Sequence, residues 1–454
     1  MITPPSGSPG PAPGQGSLLI RGGYVLTMDP AAGDLPAGDV LVTGGRIAAV
    51  GTGLPAGPGT PEFDASGMIV APGLVDTHWH LWNTLLRGMS AAGPEPGYFR
   101  LSAGLGRAFG PDDIYHGTLL GCAEAISSGI TTVHDWCHNV RSPAHADAGL
   151  RALAEAGLRA RFSYGYPAGH PAGQPMDLAG LQRLHRDWDS RAAGGLLSLG
   201  MAWRGPGGRG SPLPPVPDEI CRAELAAARD LGIAVTVHVS GPGRAGGQIA
   251  ALAEAGALGP GLQVVHANCA SAREIEQLAE SGAAVSVSPF SELLIGYGLP
   301  RAEEFLAAGI PVGLSVDTTA LAGNGDMFAI MKVTQAIANG RAEHEFALTA
   351  RQVLALATIE GARSLGLDRI TGSLTPGKRA DLIVVSPAGH NLGLVTDPAQ
   401  LLVTAAQPAN VDLVLADGRV LKRGGSLTGL DPDRVSAGAR AALAGVRDRA
   451  GGDW

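Results

Sequence analysis

Between Leu74 and Asp317 the chain alternates eight short apolar runs with Ala-, Leu- and charge-rich stretches of helical spacing. That repeated alternation restricts the fold more than any other feature. The strand-like runs are Leu74–His80, Thr131–Trp136, Ala160–Tyr166, Leu196–Trp203, Ala234–Val239, Gln263–Asn268, Ala284–Pro289 and Val312–Asp317. Helical stretches between them include Asp112–Ser127, Ala144–Ala156, Glu219–Leu231, Ala270–Ser281, Arg301–Ala308 and Asp326–Ala338. Parallel strands need long crossovers, and helices provide them while covering the sheet. Eight such units predict an α/β fold, a (β/α)8 TIM barrel over residues 71–369, in preference to an open doubly wound sheet. A helix over Thr349–Gly366 returns the chain.

The flanks have another texture. Residues 17–70 and 370–430 carry short β-rich runs separated by Gly-Gly, Pro-Gly and Asp-Gly turns. Neither block is large enough for a core of its own, so the two are expected to pair into one small β-sandwich built from both chain ends. Residues 1–16 are rich in Pro, Gly and Ser and read as a disordered tail, without the basic and apolar regions of a signal peptide. Residues 431–454 read as a peripheral C-terminal helical tail.

Composition closes off several function classes. A net charge of −8 offers no basic face for nucleic acid or an anionic membrane. No apolar run approaches the roughly 18 residues of a membrane span. The four cysteines, Cys122, Cys137, Cys221 and Cys269, are scattered and form no C-x-x-C pair. They read as reduced thiols of a cytoplasmic enzyme.

In a barrel of this kind the active site lies at the C-terminal ends of the strands. The first run ends in His78 and His80, which alternation puts on one face. The fifth ends in His238, the sixth carries His266 and the eighth ends in Asp317. Only 12 histidines exist in the chain, so five metal-compatible residues at matched termini make a joint signal that no single histidine carries. His134, Trp136 and His138 follow strand two. With Trp82 and Trp203 they either line a pocket for a flat substrate or pack at the rim. His116, His145, His170, His185, His344 and His390 are expected to be solvated. Asn324-Gly-Asp326 reads as a helix cap.

Ala71-Pro-Gly-Leu-Val-Asp-Thr-His-Trp-His80 resembles the first-strand signature of the amidohydrolase superfamily. Gly361-Ala-Arg-Ser-Leu-Gly-Leu and Gly372-Ser-Leu-Thr-Pro-Gly-Lys-Arg-Ala-Asp381-Leu resemble its C-terminal signature. The resemblance runs from about Ser17 to Gly424. It is nearest the branch of cytosine deaminase, the nucleobase aminohydrolases and the triazine chlorohydrolases. It implies that His78, His80, His238 and Asp317 hold one divalent metal ion, Zn2+ first, with Fe2+ and Mn2+ also compatible. It further implies that His266 polarises the substrate. The family's second metal needs a lysine at the end of strand four, and Leu196-Leu-Ser-Leu-Gly-Met-Ala-Trp-Arg204 contains none, so a mononuclear site is expected. Homo-oligomerisation is a family-level expectation only.

Such a centre lowers the pKa of bound water to about 7. Asp317 takes the water proton, hydroxide attacks an sp2 carbon, and the same carboxyl returns the proton to the leaving group. The small-molecule substrate is then cleaved at a C–N bond, by deamination or by hydrolysis of a cyclic amide or amidine. Dechlorination at a heteroaromatic carbon is the alternative, and a catalytically silent binding protein on the same frame is the alternative of another class. One departure bears on the choice. Deaminases of this branch usually carry a glutamate three residues after the fifth-strand histidine, where this chain has Gly241. Glu292 either supplies the missing acid or anchors its own loop and helix.

Overall fold

The computed structural model describes residues 16–90, 97–167, 169–208, 211, 213–239 and 246–451. Eight parallel strands occur in chain order, each paired with the next: Leu74–Trp79, Ile130–Cys137, Arg159–Gly165, Leu197–Trp203, Ala234–Val239, Leu262–His266, Ala284–Val287 and Val312–Leu314. The barrel predicted from eight repeats is therefore present. Strand one meets strand eight through Trp79 and Asp317, where His80 N donates to Asp317 O at 2.7 Å and Asp317 N to His78 O at 2.8 Å. The seam thus closes at the expected metal ligands themselves.

Strands six, seven and eight end two to three residues earlier than the sequence suggests. The physical reason lies in the backbone. Strands six and eight turn off at residues of positive φ: His266, Ala267 and Asp317 have φ of 74°, 58° and 62°, which does not continue a ladder. The interior beneath is polar. Thr77 Oγ1 lies 2.7 Å from Ser286 Oγ, and Ser315 Oγ bonds both Ser286 and Ser288.

The chain ends form the expected composite β unit, and its strands are hydrogen-bonded into one nine-stranded mixed sheet. Ile69–Pro72 and Leu382–Val385 would each leave an unpaired edge, and pairing antiparallel to one another satisfies both, joining the two blocks in one ladder. The sheet then curls on itself, with Ile47 and the Gly377–Lys378 turn exchanging backbone bonds of 2.8 and 2.9 Å. Alternation divides its residues. Val70, Leu382 and Val384 enter the sheet's own core, whereas Ile69, Ala71, Ile383 and Val385 join the barrel core. Gly73 marks the change of domain; a Cβ there would fall 2.0 Å from Thr131 Oγ1.

A buried ion pair fastens the two parts. Arg159, at the base of barrel strand three, donates to Asp381 at 2.8 Å and to Asp417 at 3.2 Å, with Arg159 and Asp381 both buried. The expected helix over Thr349–Gly366 is two helices, Ala350–Leu356 and Ile359–Ser364. Thr358 lies between them with non-helical φ −136° and ψ −99°, and its hydroxyl donates to Leu354 O. Asp326 does cap Met327–Ala342, accepting from the amides of Phe328 and Ala329. The C-terminal helix, Pro432–Ala450, is docked rather than loose: Val435, Ala439, Ala442 and Val446 are buried, and Arg449 pairs with Asp113. Residues 1–15, most of the expected N-terminal tail, lie outside the described residues. Among those described, no helix is long and apolar enough to cross a membrane.

Candidate active site

Four of the strand-end residues converge. His78, His80, His238 and Asp317 each offer a ligand atom, and these atoms lie within 4.8 Å of one another. His78 Nε2 is 3.1 Å from Asp317 Oδ1, His80 Nε2 is 3.3 Å from the same oxygen, and the Nε2 atoms of His78 and His238 are 3.2 Å apart. Donors about 2.0–2.1 Å from one tetrahedral ion stand about 3.4 Å from each other, so the separations suit a single cation. The protonation states suit it as well. Burial pushes His78 down to about 3 and lowers His238, keeping both imidazoles neutral at pH 7, the form that binds metal. Burial opposes ionisation of Asp317, but its bonds to His78 and His80 overcome this and hold the carboxyl well below the usual range. The Nδ1 of His80 lies 2.9 Å from Trp136 O, a bond that leaves the Nε2 lone pair toward the site. The donor set fits a divalent metal.

Asp76 builds the scaffold beneath. Its carboxylate accepts from Val316 N at 2.7 Å and His78 N at 3.1 Å, clamping strand eight to strand one. The sequence reading assigned it no role.

His266 stands beside the ligands, its ring stacked 5.6 Å from that of His238. Burial disfavours its charged form, yet the bond to Glu292 and the Asp317 charge raise its pKa overall. Glu292 itself is fully buried and does not line the cavity. Its Oε1 accepts from Ser288 N at 2.7 Å and lies 3.2 Å from His266 Nδ1, while Oε2 accepts from Asn268 Nδ2 at 3.1 Å. It therefore caps the helix Pro289–Leu294 and orients His266, rather than meeting a substrate directly. Gly241 lies outside the described residues.

A cavity of about 280 Å³ opens over His80, His238, His266 and Asp317. Trp136, His138 and Trp203 lie on its wall, as do Tyr98, Phe99, Tyr166, Arg204 and Tyr297. Two expected wall residues are elsewhere. His134 shares a face with Trp136, but it sits one pleat deeper, about 6.6 Å down the strand, where it bonds Thr77 O, Gln263 and Ser163 inside the barrel. Trp82 is carried away because the chain turns into a 3-10 helix, Leu81–Leu86. Its ring packs on Phe109 and its indole N–H donates to His138 Nδ1 at 3.4 Å. His145, expected in solvent, is buried between Ser142 Oγ and Phe109 O. At the end of strand four, Arg204 is buried and pairs with Glu224 at 3.1 Å, and Glu224 also accepts from the Trp203 indole at 2.8 Å. Of the wall residues missed, Tyr166 directly follows strand three and obeys the strand-end rule. Tyr98 and Tyr297 sit in connections that the rule does not reach. A larger groove of about 760 Å³, between Tyr24, Gln335 and Arg351, holds none of the strand-end residues.

Comparison with known proteins agrees with this geometry. The amidohydrolase family profile matches residues 69–421. The 5'-deoxyadenosine deaminase of Methanothermobacter thermautotrophicus is 31% identical over 442 residues, covering 94% of this chain and 98% of the relative. The 5-methylthioadenosine/S-adenosylhomocysteine deaminase of Symbiobacterium thermophilum is 32% identical over 428 residues, covering 89% and 93%. Among solved structures, a zinc-bound adenosine deaminase from Xanthomonas campestris superposes with a TM-score of 0.83 at 25% identity, covering 96% of this chain and all of that one. The zinc complex of atrazine chlorohydrolase from Arthrobacter aurescens gives 0.81 at 26% identity, covering 94% of this chain and all of that one. With the family profile matched over residues 69–421 and relatives above 30% identity along nearly the whole chain, this chain belongs to the amidohydrolase family.

Proposed function

We propose that the chain is a mononuclear metal-dependent hydrolase that removes an amino group from a carbon of a small heterocycle, with zinc the first choice of metal. The convergence of His78, His80, His238 and Asp317 beneath an aromatic-walled cavity carries this reading. Bound there, a divalent cation supplies an acidified water at neutral pH. Asp317, held ionised and 3.1–3.3 Å from two of the imidazoles, is placed to take the proton of the attacking water and return it to the leaving amine. His266, oriented by Glu292, presents its Nε2 to the substrate. Trp136 and Trp203 offer flat apolar faces on which a ring can stack. The deaminase relatives point to adenosine-like compounds within this class. The four free cysteines fit a reducing cytoplasm.

Displacement of chloride is the second reading. The structural likeness to atrazine chlorohydrolase favours it, since the same activated water would serve and only the leaving group differs. A panel of 5'-deoxyadenosine, adenosine, amino- and chloro-triazines and cyclic amides, scored for ammonia and chloride release, separates the two. Ammonia release from at least one amino compound is expected. Chloride release alone would replace the first reading with the second. A scaffold without catalysis would tolerate His80→Ala and metal loss unchanged.

A further inference from the structure

The amino-displacement reading leaves one chemical need unmet. When water oxygen attacks the ring carbon, the carbon–nitrogen π pair moves onto the ring nitrogen, and that nitrogen needs a hydrogen-bond donor. The usual glutamate is absent at position 241. Glu292 does not line the cavity, and its carboxylate is engaged by Ser288, His266 and Asn268. His138 shares its Nδ1 with the Trp82 indole.

Tyr297 is placed differently. It lies on the cavity wall with His266, His238 and Asp317, is 8% exposed, and its ring meets that of His266 edge-on at 5.3 Å. Its amide donates to Glu292 O at 2.9 Å. The flanking Gly296 and Gly298 have φ of 78° and 116°, a turn that side-chain-bearing residues rarely adopt. The backbone is thus built to hold this one side chain against the site. No hydrogen bond from another described residue engages its hydroxyl. Tyr98, also on the wall, is already engaged: it accepts from Asn83 Nδ2 at 3.3 Å and bonds the Thr318 side chain.

We infer that Tyr297 donates its hydroxyl proton in a hydrogen bond to the ring nitrogen of the substrate, stabilising the negative charge that forms there as water adds. This inference rests on the amino-displacement reading. The step needs no outside reagent. The new C–O bond forms as the ring π pair moves to nitrogen, and the water proton passes to Asp317. That pair then returns, the exocyclic C–N bond breaks, and the departing amine takes the proton from Asp317. Burial, with the charges of Asp317 and Glu292, raises the Tyr297 phenol, so it stays a neutral donor throughout.

Tyr297→Phe keeps the ring against His266 and removes only the donor. On an amino substrate from the panel, kcat is expected to fall about 10- to 100-fold, with KM within about threefold and metal content unchanged. Tyr98→Phe is expected to lose about threefold or less, as befits a hydroxyl already engaged. Loss of metal, or a rise in KM with kcat preserved, marks a structural role and overturns the inference, as does unchanged kcat; the amino-displacement reading survives all three. If the wild type turns over no panel member, purine riboside binding followed by tryptophan fluorescence takes the place of kcat. A weakening of about tenfold in Tyr297→Phe is then expected, and equal affinity overturns the inference. A wild type that neither turns over nor binds any of these compounds overturns the reading and the inference together.

Discussion

Glu292→Gln tests how the site is held, because the substitution preserves shape and removes only charge. Glu292 accepts from Ser288 N and faces His266 Nδ1 through Oε1, and accepts from Asn268 Nδ2 through Oε2. A glutamine whose oxygen occupies the Oε1 position keeps the first two partners but loses charge assistance. A charged hydrogen bond is worth about 1.5–3 kcal/mol against about 1 for a neutral one, so each loses about 1 kcal/mol. The new amide then faces the amide of Asn268, donor against donor. Turning Asn268 over would relieve this at the cost of its bond to Leu299 O. The sum is a destabilisation of about 2–4 kcal/mol. For catalysis the relevant part is the His266 bond, and about 1 kcal/mol there corresponds to a roughly fivefold fall in kcat/KM. Thermal unfolding, metal analysis and steady-state kinetics on one preparation read all three quantities. The expected outcome is a lower Tm, full metal content and kcat/KM reduced about fivefold. Wild-type kcat/KM would refute the argument that Glu292 works through His266, and loss of metal would mean that it supports the ligand shell instead.

Removal of the metal by a chelator should abolish turnover, and a divalent ion should restore it; His80→Ala should bind little metal and fall at least about a thousandfold. Asp381→Ala leaves the Arg159 guanidinium buried with its main partner gone. A loss of about 3–5 kcal/mol in denaturant unfolding is expected, with kcat per folded molecule unchanged, because the pair lies at the base of the barrel. Asp135 is buried, and burial outweighs the pull of the Leu81 backbone to raise its pKa to about 8. Its native state holds a proton that the unfolded chain releases near pH 4. Stability is therefore greatest below that pH and falls as pH rises through 8. Tm measured at pH 5 and pH 9 should drop further in the wild type than in Asp135→Asn, and equal drops would refute the assignment.

The repeat count and the strand-end residues were legible because both depend on short-range periodicity. Alternation sends His78 and His80 to one face whatever surrounds them, and eight parallel strands with helical crossovers have few ways to close. Depth and direction were not legible. His134 and Trp136 share a face, yet one is a pleat below the cavity and the other on its wall. Trp82 left the expected face when strand gave way to 3-10 helix. Glu292 was read as either an acid or an anchor, and only its three partners distinguish the roles.

What the amino-acid order determined alone was the type of unit, its number and the chemistry placed at each strand end. What the tertiary structure decided was closure. Asp317 meets His78 and His80 only because strand eight returns to strand one after some 240 residues, with Asp76 clamping the seam and the chain turning off at the left-handed φ of Asp317. No local pattern contains that meeting, since it is created by backbone bonds between segments that are neighbours only once the barrel has closed.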